Sequence, residues 1–265
     1  MDKQALLASI PATAEERMTL ARLYDKWESC QRRGIPTFSR FLTEAEQNLA
    51  ASLFHRLGAD WILYGGYEGA ERRIAVFLPD YLEKEQVDGA LCELTVLRIK
   101  ADRFSSAPLT HRDYLGALMA MGIERETVGD ILVGDRQADL IVTDAAAEAI
   151  CGELIEVGRA RVECRPIAPE EMEIPEAVFE TASDTVASLR LDCLVASAFR
   201  LSREEAGRAI RSGRVQRNGR EATKPDGECA EGDKLALRGA GKAVLTKIDG
   251  LSKKGRIRIL WSRPK

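Results

Sequence analysis

The region from Ser202 to Gly219 constrains the fold more than any other part of the chain. Ser202 is followed three residues later by Glu205, and this spacing is the capping box that begins a helix. Apolar residues then recur at helical spacing, and Gly213 supplies the left-handed residue that ends the helix. Asn218 and Gly219 follow between strand-like residues and favour a type I′ hairpin, because both turn positions require a positive φ. The sequence therefore predicts a helix followed closely by a hairpin.

This helix and hairpin lie in a basic module. Residues 181–265 contain 19 Lys and Arg against 10 Asp and Glu, a net charge of +9, whereas residues 1–180 hold 20 basic and 32 acidic residues, a net charge of −12. Such an asymmetry is typical of a module that neutralises the phosphates of a nucleic acid. A solvated basic surface is the alternative that charge alone leaves open.

The order of elements in the module favours phosphate binding. A first helix is predicted at Leu191–Ala198 from its apolar spacing, and a strand at Lys234–Arg238 from its alternation. The planar fork of a guanidinium group suits phosphate oxygens, and six arginines between 203 and 220 outnumber Glu204, Glu205 and Glu221, the carboxylates expected to pair with them. The predicted RNA-binding residues are Arg190, Arg203, Arg208, Arg211, Arg214, Arg217, Asn218, Arg220 and Lys224.

The rest of the chain predicts an α+β protein with four parts. Residues 1–90 form a helical part, with helices at 13–33 and 43–58, strands at 61–64 and 74–78 and a short helix at 80–90. Residues 91–165 follow the order β-α-β-β-α-β, which is that of a ferredoxin-like domain. Residues 166–183 are rich in Pro and Glu and read as an acidic linker, and residues 184–265 form the basic domain.

Several classes of function are disfavoured by what the sequence lacks. The six cysteines include no C-x-x-C pair, so we expect no metal site, and no P-loop or G-x-G-x-x-G segment predicts a cofactor or a small-molecule substrate. His111 and Asp113 are two residues apart on a predicted helix and point to different faces, so we expect no catalytic residues. No apolar run approaches the ~20 residues of a membrane span and the N-terminus makes a poor signal peptide, so we expect a cytoplasmic protein without a membrane partner.

A family resemblance covers the basic module. The residues that carry it are Arg190-Leu191-Asp192, Leu201-Ser202-Arg203, Ala206, Ile210, Gly213-Arg214-Val215, Asn218-Gly219, Gly232-Asp233 and Leu237-Arg238-Gly239. In their order and spacing, from Val186 to about Gly241, they resemble the S-four RNA-binding domain, named after ribosomal small-subunit protein four. The resemblance implies two helices and a small antiparallel sheet that bind structured RNA, usually ribosomal, through its shape and phosphates.

The middle part adds a second resemblance. The motifs are His111-Arg112-Asp113-Tyr114-Leu115-Gly116-Ala117-Leu118-Met119, Ile123-Glu124-Arg125-Glu126 and Gly129-Asp130-Ile131-Leu132-Val133. They resemble the middle domain of YlmH-like bacterial RNA-binding proteins, with which length and domain order also agree. The resemblance implies binding to rRNA of the large ribosomal subunit, with tRNA as a further partner, in the quality control of stalled subunits that carry peptidyl-tRNA; a looser link is to cell division. Further RNA contacts are predicted at His111, Arg112 and Arg125.

The main alternative is an RNA-modifying enzyme. Because S-four domains are also attached to pseudouridine synthases and methyltransferases, a divergent catalytic domain between Leu91 and Arg165 is the competing hypothesis. The only Arg-Leu-Asp, at 190–192, is used within the S-four motif, and Tyr64-Gly65-Gly66-Tyr67 is too short for a cofactor loop. The sequence therefore favours a binding factor over an enzyme.

Overall fold

The computed structural model describes residues 3–102, 108–175 and 179–264, and these residues confirm the α+β fold class. The chain divides into two units, Met1–Pro175 and Glu176–Lys265. Within the described ranges, none of the helices is long and apolar enough to cross a membrane.

The first unit begins with three helices and a small sheet. The elements are α1 (Lys3–Ala8), α2 (Ala14–Arg33), β1 (Thr37–Phe38), α3 (Glu44–Leu57), β2 (Trp61–Tyr64) and β3 (Ile74–Phe77). Thr13 and Thr43 each form a capping box with a glutamate three residues later, which is why α2 and α3 begin where they do. The strands form an antiparallel sheet in the order β1-β3-β2. The helix predicted at 80–90 is wrong, since this stretch contains only a 3₁₀ turn at Lys84–Gln86.

A larger sheet with two helices follows in the same unit. Its elements are β4 (Leu94–Ala101), α4 (His111–Ala120), β5 (Val128–Val133), β6 (Gln137–Thr143), α5 (Asp144–Glu153), β7 (Glu156–Val157) and β8 (Ala160–Ile167). The strands are antiparallel in the order β5-β6-β4-β8-β7. Apart from the short edge strand β7, this is the ferredoxin-like arrangement, in which the third strand lies between the first and the second. The apolar faces of α4 and α5 cover the sheet around Leu97 and Leu140.

The two sheets of the first unit share an apolar cluster. Phe41 and the β3 residue Ile74 pack together with Ile141 of β6. The approach is close at Gly129, where an added Cβ would lie 2.7 Å from Cε1 of the Phe41 ring. This packing joins the small sheet to the larger one.

The second unit contains two short helices and one long sheet. Its elements are β9 (Phe179–Val186), α6 (Leu191–Phe199), α7 (Arg203–Arg211), β10 (Val215–Arg217), β11 (Arg220–Glu221), β12 (Lys234–Leu237), β13 (Gly241–Leu251) and β14 (Ile257–Pro264). The sheet runs in the order β11-β10-β12-β13-β14-β9 and is therefore larger than the small sheet expected. Trp261 of β14 is fully buried in the core, and its indole donates a hydrogen bond to Ser197 Oγ at 3.0 Å.

The structure differs from the acidic linker predicted at 166–183. β8 extends to Ile167, a 3₁₀ turn spans Pro169–Glu171, and β9 begins at Phe179, while residues 176–178 lie outside the described residues. β9 has little hydrophobic alternation, and it is a strand because Phe179 to Val186 pair in continuous register with β14. Pairing with a strand about 80 residues further on leaves no local signal in the sequence.

Candidate nucleic-acid interface

A buried carboxylate in the second unit holds two arginines. Asp192, whose side chain is only 9% exposed, accepts hydrogen bonds from Nε of Arg190 at 3.2 Å and from Nε of Arg203 at 3.0 Å. Burial by itself raises the pKa of Asp192, but the hydrogen bonds from the two guanidinium groups outweigh it, so the pKa lies below its usual value. The carboxylate therefore stays ionised and orients both arginines. These three residues are called the Asp192 cluster.

Local structure explains why the Asp192 cluster forms. Arg190 is the residue before α6, and the backbone NH groups of the next two residues donate to the carbonyls of Gly227 and Pro225 at 2.8 and 2.9 Å. Arg203 is the first residue of α7, because Ser202 caps that helix. The beginnings of both helices therefore meet at one carboxylate.

The guanidinium groups of the cluster keep donors available to a ligand. The side chains of Arg190 and Arg203 are 41% and 58% exposed, and only part of each guanidinium contacts Asp192. Since a guanidinium has five N–H donors in a fixed plane, the remaining donors point to solvent in orientations set by the carboxylate. This preorganisation suits an anion with several oxygens, such as a backbone phosphate.

The cluster opens onto a shallow depression of about 420 Å³. Its lining residues are Arg190, Asp192, Arg203, Glu204, Gly207, Arg211, Pro225 and Asp226. Gly207 lies between Arg203 and Arg211 on one stripe of α7, and the Arg211 guanidinium packs 3.3 Å from the position that a Cβ of Gly207 would occupy. The structure thus brings together Arg190, Arg203 and Arg211 among the nine predicted residues.

A second buried carboxylate binds the hairpin. Asp233 forms an ion pair with Nη2 of Arg217 at 2.7 Å and accepts from the side-chain amide of Asn218 at 2.7 Å. Burial alone raises the pKa of Asp233, and hydrogen bonds from Ala230 NH, Asn218 and Arg217 outweigh it and lower the pKa. Asn218 also accepts from Lys234 NH at 2.8 Å and has a φ of +52°. Arg217 and Asn218 therefore hold the turn in place, and much of their hydrogen-bonding capacity is used within the protein.

The other predicted residues of this unit are exposed. Arg208 lies on the last turn of α7, and Arg214 donates to the carbonyl oxygen of Arg238 at 3.2 Å. Arg220 lies opposite Arg217 in the hairpin, and Lys224 precedes Pro225, which lines the depression. These four residues lie at different places along α7, the hairpin and the loop that follows it.

The middle-domain predictions divide into two groups. His111 and Arg112 begin α4 and are exposed, and Asp113 accepts hydrogen bonds from the NH and hydroxyl of Thr110 at 2.8 and 2.7 Å, as a capping residue does. Arg125 is partly buried, and its Nη1 donates to the Gly129 carbonyl at 3.2 Å as well as to that of Val128. Arg125 is therefore less accessible to RNA than His111 and Arg112, which are exposed.

Sequence reasoning did not assign Arg203 and Arg217 to these two carboxylates. The expected partners of the arginines were glutamates of α7 and β11, whereas Arg203 and Arg217 pair with Asp192 and Asp233. A signal was present: Asp192 lies between apolar residues of a predicted helix in a basic module, and an acid there needs a cationic partner. Among the described residues, no group of three His, Cys, Asp or Glu side chains could hold a metal ion.

Comparison with known proteins agrees with this architecture. Residues 88–171 match the family model described as "Putative RNA-binding domain in YlmH", and residues 189–235 match the S4 domain. The chain is 35% identical over 226 residues, 85% of its own length and 86% of the relative's, to "Ribosome-associated protein quality control protein P2" of Bacillus subtilis. The chain belongs to the YlmH-like family.

A solved structure supports the fold of the YlmH-like chain. "Cell division protein ylmH from Streptococcus pneumoniae" aligns with a TM-score of 0.51 at 20% identity, and it covers 62% of this chain and 97% of its own. The resemblance to YlmH-like proteins and to the S4 (S-four) domain, expected from sequence motifs, is confirmed. The Asp192 cluster lies within the S4 match.

Proposed function

We propose that this YlmH-like protein is a non-catalytic RNA-binding factor whose S4 domain binds the phosphate backbone of large-subunit rRNA. The observation that carries the proposal is the Asp192 cluster, in which one buried carboxylate orients Arg190 and Arg203 while much of both side chains stays exposed. A solvated basic surface would not need a buried acid to hold its arginines in place. Oriented guanidinium groups lose less conformational freedom when they bind a phosphate.

A relative supports the biological setting of this proposal. The B. subtilis relative is named as a ribosome-associated quality control protein, and the match covers most of both chains. We infer the same setting here: association with stalled large subunits, with peptidyl-tRNA as a second RNA partner. Exposed arginines outside the depression, such as Arg208 and Arg214, would extend the phosphate contacts.

The middle domain adds a weaker contact in this proposal. The strands described in its sheet, β4 to β8, contain no Phe, Tyr or Trp on which bases could stack. RNA contact would therefore use phosphates and shape, through exposed residues such as His111 and Arg112 at the beginning of α4.

The test is co-sedimentation of the full-length protein with purified large subunits across a range of salt concentrations. Arg190→Gln/Arg203→Gln should bind about tenfold more weakly at physiological salt. The slope of log binding constant against log salt concentration should also be shallower, by about 0.7–0.9 for each phosphate that the variant no longer neutralises. Lys253→Gln/Lys254→Gln makes the same charge change at exposed residues near the β13–β14 turn and should bind as wild type. If both variants bind equally weakly, net charge alone explains the binding and the oriented arginines do not.

The enzyme alternative is tested separately by mass analysis of rRNA from a deletion strain. The proposed function predicts an unchanged set of rRNA modifications. A modification that is missing in the deletion strain, and that returns with the wild-type gene, would refute the non-catalytic role.

A further inference from the structure

A separate cleft lies in the first unit, away from the S4 motif in sequence. It has a volume of about 910 Å³ and lies where α2 and the β1–α3 segment face the turn before β5. Its lining residues are Thr19, Arg22, Leu23, Lys26, Ser39, Arg40, Phe41, Leu42, Thr43, Glu46, Arg72, Glu124, Arg125 and Glu126. Five of these are basic and three are acidic, in a unit where residues 1–175 hold 20 basic against 30 acidic side chains. The cleft is a positive site on an acidic unit.

Two partly buried arginines line the cleft together. Arg72 donates from Nε to the Val128 carbonyl at 3.0 Å and from Nη2 to those of Phe41 and Arg125 at 3.1 and 3.3 Å. Arg125 donates from Nη1 to the carbonyls of Val128 and Gly129. Both guanidinium groups are thus held rigidly by neutral backbone oxygens, and neither forms an ion pair within the described ranges of the chain.

The arrangement leaves some guanidinium donors without a partner in the described part of the chain. Of the five N–H donors on each guanidinium, the two on Nη1 of Arg72 and the three on Nε and Nη2 of Arg125 contact no acceptor among the described residues. Burial, and after it the neighbouring charge of Arg72, lowers the pKa of Arg125 to about 10. Two like charges in a partly dehydrated site repel each other, and a bound anion would relieve that repulsion.

Two more cations lie on the α2 side of the cleft. Arg22 and Lys26 are exposed, one helical turn apart, and form no ion pair with any residue that the structure describes. The acidic residues of the cleft are otherwise engaged: Arg40 pairs with both Glu124 and Glu126. Glu46, the remaining acid, accepts the NH and hydroxyl of Thr43, each at 2.7 Å, as the capping residue of α3. Glu46, Asp130 and Glu126 also lie near enough to act on Arg72, and Asp130 on Arg125, but none of them forms an ion pair with either arginine among the described residues. Arg22, Lys26, Arg72 and Arg125 therefore keep their charges available to a ligand.

We propose that this cleft is a phosphate-binding site, with Arg72 and Arg125 as the fixed donors and Arg22 and Lys26 as the mobile cations. A terminal phosphate carries up to two negative charges and three acceptor oxygens, and consecutive backbone phosphates carry one negative charge each. Either matches several donors from different residues better than a single carboxylate does. The phosphate can come from an RNA backbone or from a free nucleotide, and the volume admits either a mononucleotide or a short stretch of chain. The site is independent of the Asp192 cluster and goes beyond the proposed S4 interface.

The test is calorimetric titration of the full-length protein with inorganic pyrophosphate. It is performed in the Arg190→Gln/Arg203→Gln background, so that the S4 interface does not contribute and a failure of the proposed function does not affect the result. Saturable binding is expected, and Arg22→Gln/Lys26→Gln should weaken it by about tenfold. Because both residues are exposed, thermal unfolding should be unchanged. Arg159→Gln/Arg161→Gln, with the same charge change at exposed residues outside the cleft lining, is the matched control.

Competition identifies the source of the phosphate. Displacement of pyrophosphate by a single-stranded oligoribonucleotide supports an RNA backbone, and displacement by a nucleoside monophosphate alone supports a free nucleotide. The Nε–Hε NMR signals of Arg72 and Arg125 should shift with the same titration. Absence of saturable binding, displacement by neither competitor, or equal weakening in the control variant would overturn the proposal.

Discussion

Replacing Asp192 with asparagine separates orientation from charge. Asp192→Asn keeps the size of the side chain but removes the negative charge that holds Arg190 and Arg203. The variant makes the second unit more positive by one charge, so a purely electrostatic surface would bind RNA equally well or more tightly. If orientation matters, affinity should fall in spite of the added positive charge. The two explanations therefore predict opposite signs.

The size of the effect follows from the hydrogen bonds. A hydrogen bond to a charged group contributes about 1.5–3 kcal/mol, but the exposed portions of both arginines recover much of this from water. We therefore expect the unfolding free energy of the second unit to fall by about 1–2 kcal/mol. Its melting temperature should fall by about 5–10 °C. Release of the two guanidinium groups should weaken RNA binding by about tenfold, which corresponds to about 1.4 kcal/mol.

The assay is filter binding to large-subunit rRNA at two salt concentrations, with calorimetric melting of the same samples. Measurements at temperatures well below the lowered transition ensure that folded protein is compared. Asp249→Asn removes the same charge from an exposed residue of β13 and serves as the control. Tighter binding by both variants would refute the orientation argument, because charge alone would then explain the affinity.

The same carboxylate predicts a pH dependence. The folded-state pKa of Asp192 lies below its unfolded value, so its contribution to stability is present above about pH 3.9 and is lost as the pH falls through the folded pKa. The wild-type second unit should therefore lose more stability than Asp192→Asn between pH 5 and acid pH. Parallel curves of unfolding free energy against pH for the two proteins would contradict the assigned shift.

Two further predictions concern the first unit. Gly129→Ala should destabilise it by about 1–3 kcal/mol, because the new Cβ would meet the Phe41 ring at 2.7 Å. Gly116→Ala is the control, since an added Cβ has open space there in α4, and it should be neutral or stabilising in calorimetric melting. Cys151 and Cys164 have their Sγ atoms 3.4 Å apart, so a mild thiol oxidant should join them with loss of two hydrogen atoms by mass spectrometry. Persistence of that mass change in Cys151→Ser would show that another pair reacts.

Local sequence signals predicted most of the helices because their causes are local. The capping boxes at Thr13, Thr43 and Ser202 act over three residues, and so does the Asn218 turn, which the structure shows with positive φ. The predicted helix at 80–90 failed because turn and helix residues are hard to separate over so short a stretch. β9 was missed because a strand without alternation depends on its distant partner.

The candidate site shows the same difference between features with local causes and features that depend on distant segments. The sequence by itself determined that the last third of the chain is basic, that arginines flank two helices and a hairpin, and that these residues follow the S-four spacing. Only the tertiary structure decided which arginines share a carboxylate, and it placed Arg72 beside Arg125 although 53 residues separate them. The physical reason is the distance along the chain over which each kind of interaction acts. Capping and turn formation depend on neighbours along the chain, whereas ion pairs and clefts depend on how distant segments pack.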